Sequence, residues 1–333
     1  MTASDPLPTT AQDDYVVGSS AAALGFERDL RQVAASDVTV LLEGESGSGK
    51  GAAARRLHAL SPLAAGPFVE VSLAALAPTL LEAELFGHEQ GAFTGAVRAR
   101  EGRFLRARGG TLVLDAVEIL PEEVQVKLLR ALQERVVEPL GAESPLPFDA
   151  RILATSGREL GAEVGAGRFR EDLYYRLAVV VLRLPPLRTR SEDLPDLVAT
   201  LARRIARRSR VAPRPFAPAA LARLSAWSWP GNVRELENAV ERVLVLAPGE
   251  RGAPVGADEL AFLGAQVADE RRRLAREALA LGMTADEMGL ALVEEALAEE
   301  RGNVSAAARR LGLTRRALEY RRQRAGAEGE ERE

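Results

Sequence analysis

A glycine-rich loop between an apolar run and a helical run constrains this chain more than any other feature. The loop has the spacing G-x-x-x-x-G-K; it follows Asp37–Leu42 and precedes Ala52–Leu60, which predicts a buried β-strand and an α-helix on either side. Glycines allow backbone N–H groups to wrap phosphate oxygens, and the terminal lysine reaches the outer phosphates. The loop therefore predicts a nucleotide-binding site made by Gly44, Glu45, Ser46, Gly47, Ser48, Gly49, Lys50 and the following Gly51.

Further apolar runs alternate with helical stretches, and this alternation predicts the fold class. Strand candidates are Phe68–Ser72, Thr111–Leu114, Arg151–Ala154 and Val179–Leu184, and Glu122–Arg135 is typical of the helices between them. Strands that alternate with helices favour a parallel sheet with helices on both faces. We expect an α/β domain.

The strand pattern stops after Pro185-Pro186, and amphipathic helices follow. We predict them at Asp193–Arg208, Pro218–Trp227 and Val233–Leu246, with a charged helix near Asp269–Leu281. The expected organisation is a tail at 1–14, an α/β domain at 15–187, a small helical lid domain at 188–250, a linker at 251–285, a helical unit at 286–326 and an acidic tail at 327–333.

Composition excludes several classes of protein. No run of about 18 apolar residues occurs, and the N-terminal residues are polar and acidic, which argues against a membrane span and a secretory leader. Cysteine is absent and only His58 and His88 are histidines, so disulfides and thiolate or multi-histidine metal sites are excluded. We expect a cytoplasmic protein.

The C-terminal region predicts a DNA-binding unit although the formal net charge is −4. Helical patterns at Ala291–Glu300 and Ser305–Leu311 lead through a turn into Thr314–Arg324, where Thr314 is a candidate N-cap. This is a helix-turn-helix arrangement whose last helix could enter a major groove. The residues expected to reach bases and phosphates are Arg315, Arg316, Tyr320, Arg321 and Arg322.

Three long motifs carry a resemblance to a known family. Gly91–Ala96 reads GAFTGA, Leu184–Leu194 reads LPPLRTRSEDL, and Trp229–Asn238 reads WPGNVRELEN. From about Val17 to Arg324 the chain resembles the bacterial sigma-54-dependent AAA+ transcriptional activators, or enhancer-binding proteins, including their Fis-type helix-turn-helix domain.

The resemblance implies an AAA+ P-loop ATPase that binds ATP and Mg²⁺ and works as a ring, often a hexamer. It implies that a loop presses on sigma-54 in the RNA polymerase holoenzyme, with Phe93 and Thr94 as the contacts. The members of that loop are Gly91, Ala92, Phe93, Thr94, Gly95 and Ala96.

The resemblance also implies roles for three arginines. Arg170 and Arg176 would reach the γ-phosphate bound by the neighbouring subunit and neutralise its developing charge. Arg234 resembles a sensor that touches the nucleotide from the lid domain. Asp115, at the end of an apolar strand, would hold Mg²⁺ through water.

The chain departs from the family pattern around the attacking water. The family's glutamate after Asp115 is Ala116, and its two nearby asparagines fall at Ser72 and Gly157. An alanine methyl group can neither accept a proton nor orient a water. We expect Glu118 to lie beyond the strand end, out of register to substitute, so hydrolysis should be severely slowed.

A second departure concerns the metal. The Ser or Thr that usually follows the loop lysine and ligates Mg²⁺ is Gly51 here. Metal binding must then depend on Asp115, the phosphates and water, with weakened affinity.

The leading hypothesis is a sigma-54-interacting regulator that binds ATP and enhancer-like upstream DNA but hydrolyses ATP poorly, in a homo-oligomeric ring or one mixed with active paralogues. Because only about 16 residues precede the AAA+ module, we expect no N-terminal sensory domain. Two alternatives stay open. One is an active ATPase in which another acid replaces the missing one, and the other is a DNA-binding repressor that keeps the AAA+ fold as a scaffold.

Overall fold

The computed structural model describes residues 18–93, 96–246, 252–300 and 302–320. The chain divides into two compact units, Met1–Leu260 and Ala261–Glu333, which are described separately. Among the described residues, no helix is both long enough and apolar enough to cross a membrane.

The first unit contains a central sheet with helices around it. Its strands are β1 (Val40–Glu43), β2 (Phe68–Ser72), β3 (Gly87–His88), β4 (Arg100–Glu101), β5 (Gly110–Asp115), β6 (Val136–Val137), β7 (Leu146–Pro147), β8 (Ala150–Ser156) and β9 (Val180–Arg183). Its helices are α1 (Ala21–Ala34), α2 (Lys50–Ala59), α3 (Pro78–Phe86), α4 (Arg103–Arg106), α5 (Glu122–Glu134), α6 (Leu160–Gly165), α7 (Glu171–Leu177), α8 (Leu194–Ser209), α9 (Pro218–Ser225) and α10 (Asn232–Leu246).

Five strands form a parallel sheet in the order β2-β5-β8-β1-β9. Side chains alternate between its two faces, so Leu112 and Leu114 join one hydrophobic cluster and Val113 joins another. Both faces are covered, and β8 is buried along its whole length. The predicted α/β fold with a parallel sheet and helices on both faces is confirmed.

The sheet brings four connecting segments to one edge. In parallel strands the carboxyl ends lie at the same edge, and in this fold ligands bind in the crevice there. Ser72 lies opposite Asp115, and Glu43 lies opposite Ser156. The segments after β1, β2, β5 and β8 therefore meet at one place.

The second unit is helical in its described part. It contains α11 (Phe262–Ala280), α12 (Ala285–Glu299) and α13 (Val304–Arg310), and residues 315–320 are also helical. Thr284 begins α12 with a capping box, because its hydroxyl accepts the Glu287 N–H while the Glu287 carboxylate accepts the Thr284 N–H. Val293, Ala296, Ala307, Ala308 and Leu318 form a small core.

Several predicted boundaries were wrong by a few residues. β1 begins at Val40 instead of Asp37, because pairing with both β8 and β9 starts at Val40. The first helix of the C-terminal unit begins at Ala285 instead of Ala291, because the capping box at Thr284 and Glu287 starts it earlier. The charged helix predicted near Asp269–Leu281 is α11, which begins at Phe262. The tails predicted at 1–14 and 327–333 lie outside the described residues.

Candidate functional site

The glycine loop turns sharply between β1 and α2. Gly47 and Gly49 have φ angles of 77° and 109°, which favour glycine. A Cβ atom at Gly47 would also lie 2.3 Å from the carbonyl oxygen of Gly231, so no larger residue fits there. The loop and the segment before α10 therefore approach each other closely, and the N–H of Val233 donates to the Gly47 carbonyl at 3.0 Å.

Lys50 is the first residue of α2, and its side chain folds back over the loop. Its ammonium group donates to the carbonyl oxygens of Gly44 and Glu45 at 2.6 and 3.1 Å. Burial lowers the pKa of Lys50, and the nearby carboxylates of Asp115 and Glu118 oppose that shift. The cation thus lies beside the backbone N–H groups at the start of α2, the arrangement that binds phosphate anions.

A cavity of about 640 Å³ lies against this loop. That volume is in the range of small-molecule sites, which span about 300–1,000 Å³. The polar residues that line it include Ser46, Ser48, Lys50, Ser72, Asp115, Glu118, Thr155, Arg190, Arg204, Arg234 and Glu237. The predicted Lys50, Asp115 and Arg234 therefore share one cavity.

Asp115 ends β5 and is fixed by the neighbouring strand β8. The Thr155 hydroxyl donates to Asp115 Oδ1 at 2.6 Å and accepts the N–H of Ala116 at 3.1 Å. This leaves the second carboxylate oxygen of Asp115 available to other groups in the cavity. Sequence reasoning did not find Thr155, because its role depends on strand pairing.

Glu118 lies beyond the end of β5, as expected, but its side chain still lines the cavity. Ala116 has φ 67° and ψ 57°, in the left-handed region, and this turns the chain immediately after Asp115. A short 3-10 helix, Val117–Ile119, follows and carries Glu118 back to the cavity. Its Oε1 accepts the N–H of Gly157 at 2.8 Å.

Residues of the lid region hold the glycine loop from the other side. Arg188 binds the Glu45 carboxylate through both terminal nitrogens, at 2.7 and 2.6 Å. The hydrogen bond from Arg188 lowers the pKa of Glu45. The amide of Asn232 donates to Glu45 Oε2 and to the Ser46 carbonyl, at 3.0 and 3.2 Å.

Arg234 and Arg190 extend this set of contacts. Arg234 donates to the Ser46 hydroxyl at 3.0 Å, and Arg190 donates to the Ser48 carbonyl at 3.1 Å. Arg188, Arg190 and Asn232 lie within the family motifs, but no role could be assigned to them from the sequence. Basic side chains that converge from the lid region make the cavity suitable for an anion.

The position after Lys50 is crowded by an acidic side chain. A Cβ atom at Gly51 would lie 3.2 Å from Glu70 Oε1, and Glu70 is paired with Arg55 at 2.6 Å. Within the described ranges, no group of three or more acidic or histidine side chains is arranged to hold a metal ion.

Arg170 and Arg176 lie at α7, away from the cavity lining in the described part of the chain. Arg170 pairs with Asp172 at 2.8 Å, and this hydrogen bond raises the pKa of Arg170. Arg176 donates to the Leu132 carbonyl at 2.8 Å. Both side chains are partly exposed, and their role across a subunit interface stays a prediction.

The GAFTGA segment lies between the short paired strands β3 and β4. The N–H of Gly91 donates to the Ala96 carbonyl at 2.8 Å, which closes the segment at its base. Phe93 is 39% exposed, and its ring contacts His88 edge-on at 5.0 Å. Ala92 also lies in this loop, and Thr94 and Gly95 lie outside the described residues.

In the helix-turn-helix unit, Arg315, Arg316 and Tyr320 are exposed. Thr314 caps their helix, because its hydroxyl accepts the N–H of Ala317 at 3.2 Å. Arg315 pairs with Glu319 at 2.9 Å. Arg321 and Arg322 lie outside the described residues.

Comparisons with known proteins place the chain in a family. A family model described as the sigma-54 interaction domain matches residues 16–183, one for an AAA+ ATPase lid domain matches residues 188–271, and one for the Fis family of bacterial regulatory proteins matches residues 290–324. The chain belongs to the sigma-54-dependent transcriptional activators. It therefore combines an AAA+ ATPase domain with a Fis-type helix-turn-helix, and the resemblance found in the sequence is confirmed.

Relatives within the sigma-54-dependent activators are similar along almost the whole chain. The transcriptional regulatory protein ZraR of Klebsiella oxytoca is 46% identical over 93% of this chain and 69% of its own. The response regulator protein PilR of Pseudomonas aeruginosa is 40% identical over 94% and 70%.

A solved structure of NtrX from Brucella abortus is similar in fold. Its complex with ADP has a TM-score of 0.69 at 34% identity and covers 92% of this chain and 68% of its own. Its complex with ATP has a TM-score of 0.70 at 34% identity and covers 94% and 70%. In these two structures NtrX is in complex with ADP or with ATP.

Proposed function

We propose that this activator binds ATP in the cavity beside Lys50, hydrolyses it slowly, and engages sigma-54 in the RNA polymerase holoenzyme through Phe93 while its C-terminal unit holds DNA. One observation carries the proposal: Lys50, Asp115 and Arg234 line a single cavity of about 640 Å³ in a member of a sigma-54-dependent family. The NtrX complexes with ADP and ATP support nucleotide as the occupant.

The residues that line the cavity fit a nucleoside triphosphate. The ammonium of Lys50 is bonded only to backbone carbonyls in its described contacts, and phosphate oxygens can replace those weaker acceptors. Backbone N–H groups at the start of α2 add further donors. Arg190 and Arg234 approach from the lid region, so phosphates would be held from both sides.

The fit to Mg²⁺ is partial. Asp115 supplies one carboxylate, whereas Gly51 has no hydroxyl to offer. When bound, Mg²⁺ would neutralise charge on the phosphates. We propose that Asp115 holds it through water and that the nucleotide supplies the remaining ligands.

Slow hydrolysis follows from position 116. General-base catalysis contributes about 10²–10⁴-fold to rate, and the alanine methyl group at this position contributes none of it. We propose that Arg170 and Arg176 act on the nucleotide of a neighbouring subunit, in a ring of identical or mixed subunits. Their location away from this chain's own cavity and their partial exposure support that role.

Replacing Phe93 with alanine tests the sigma-54 contact. We expect at least a tenfold loss of affinity for sigma-54, since an exposed aromatic side chain at a loop tip is the type of residue that dominates interfaces. ATP affinity should stay unchanged, because Phe93 lies away from the cavity lining in the described residues. The measurement is binding of labelled sigma-54 to the full chain in the presence of a non-hydrolysable ATP analogue.

The matched control is Val97→Ala, which shortens another exposed apolar side chain just outside the GAFTGA motif. Its sigma-54 affinity should match that of the wild type. Equal sigma-54 binding by the wild type and the Phe93 variant would contradict the proposed contact.

A further inference from the structure

Glu118 is a carboxylate on the cavity to which the proposed binding site assigns no role. One of its oxygens, Oε1, is held by the Gly157 N–H at 2.8 Å. The other, Oε2, is buried and has no hydrogen-bond partner among the described residues. A buried carboxylate oxygen without a donor is unfavourable, and a water molecule in the cavity would satisfy it.

The neighbouring substitutions make room for this carboxylate. Gly157 has no side chain, and a Cβ atom there would lie 2.9 Å from Glu118 Oε1. An asparagine at 157, expected from the family, would therefore collide with Glu118 in this position. Ala116 supplies the left-handed turn that directs Glu118 to the cavity. The turn at Ala116, the carboxylate of Glu118 and the open space at Gly157 form one consistent arrangement.

The negative charge of Glu118 affects the pKa of Lys50, the lysine of the glycine loop. Burial lowers the pKa of Lys50, and the carboxylates of Asp115 and Glu118 both raise it. Glu118 therefore lies near enough to Lys50 to interact with it electrostatically. Glu118, Asp115 and Lys50 also line the same cavity, in which we propose that the triphosphate binds.

We propose that Glu118 acts as the general base for the residual ATP hydrolysis of this chain, in place of the residue at position 116. The inference rests on the proposed binding of ATP in this cavity. In the step, the oxygen of a water bonds to the γ-phosphorus while the bond to the β,γ-bridging oxygen breaks, and its electron pair leaves with ADP. Glu118 takes the proton of the water and later releases it to solvent, so ATP and water give ADP, phosphate and a proton.

The test is single-turnover phosphate release from radiolabelled ATP, with ATP affinity measured by calorimetry on the same full-length proteins. Glu118→Gln keeps the size of the side chain and removes the base, so we expect phosphate release to fall at least about 100-fold with ATP affinity changed less than threefold. The matched control is Glu123→Gln, an exposed acid on α5, which should release phosphate at the wild-type rate.

Gly157→Ala gives a second, independent variant. Its methyl group meets the far end of the Glu118 side chain and not the backbone, so the protein should fold while the carboxylate is displaced. We expect a fall in phosphate release with ATP affinity retained.

Two outcomes overturn the inference. If ATP binds and Glu118→Gln releases phosphate within twofold of the wild type, Glu118 is not the base, although the proposed nucleotide site stands. If the wild type releases phosphate no faster than Glu118→Gln, Glu118 is likewise not the base. If the wild type does not bind ATP, the proposed function itself fails.

Discussion

Replacing Lys50 with alanine should lower the affinity for ATP at least about 100-fold, equivalent to about 2.7 kcal/mol. Lys50 is the cation at the start of α2, and its ammonium already lies over the loop at 2.6 Å from the Gly44 carbonyl. Hydrogen bonds to charged groups contribute about 1.5–3 kcal/mol each, and the ammonium can donate to more than one phosphate oxygen. Calorimetric titration with ATP measures the change.

The chain provides a matched control for this variant. Lys127 is its other lysine, and it is half exposed and paired with Glu82 on the surface. Lys127→Ala should bind ATP with wild-type affinity. Unchanged ATP affinity in Lys50→Ala would show that the nucleotide site is elsewhere.

Replacing Arg315 and Arg316 together with alanine should weaken DNA binding at least about 30-fold at physiological salt. Each good base contact is worth about 1–3 kcal/mol, and each phosphate contact adds about 0.9 to the slope of log affinity against log salt concentration. Both side chains are exposed on the helix that Thr314 caps. Arg315 must break its ion pair with Glu319 to contact DNA. The slope should become shallower by up to about two units.

The measurement is binding of the full chain to labelled upstream DNA at several salt concentrations. The control, with Arg272 and Arg276 of α11 replaced by alanine, removes the same charge from exposed positions. A general effect of charge would weaken both variants equally. Equal losses, or no loss in the Arg315/Arg316 variant, would contradict a DNA-binding role for this helix.

The parts of the site that depend on local sequence could be predicted. The glycine spacing predicted the phosphate-binding loop. The apolar run that ends at Asp115 predicted a β-strand, and the end of this strand lies at the carboxyl edge of the sheet. The carboxyl ends of parallel strands lie at the same edge of a sheet whatever the strand order, so this edge could be predicted before the order was known. In agreement with this arrangement, Lys50 and Asp115 line the same cavity.

The parts that depend on distant residues could not be predicted. The hydrogen bonds of Glu45 with Arg188 and Asn232 join residues 143 and 187 positions apart. The place of Glu118 depended on a left-handed conformation at Ala116, which alanine seldom adopts and no local pattern indicates. It also depended on the open space at Gly157 on another strand end. The start of α12 was predicted six residues too late, although Thr284 and Glu287 have the spacing of a capping box.

ATP binding and steady-state phosphate release, measured on one preparation of the full chain, test the central claim most directly. Enzymes turn over at a median of about 10 per second. A well-placed base contributes up to about 10⁴-fold, of which Glu118 supplies about 100-fold, so a deficit of about 100-fold remains. We predict saturable ATP binding together with phosphate release below about 0.1 per second per subunit. Sustained release at several per second, or no saturable binding of ATP, would contradict the account.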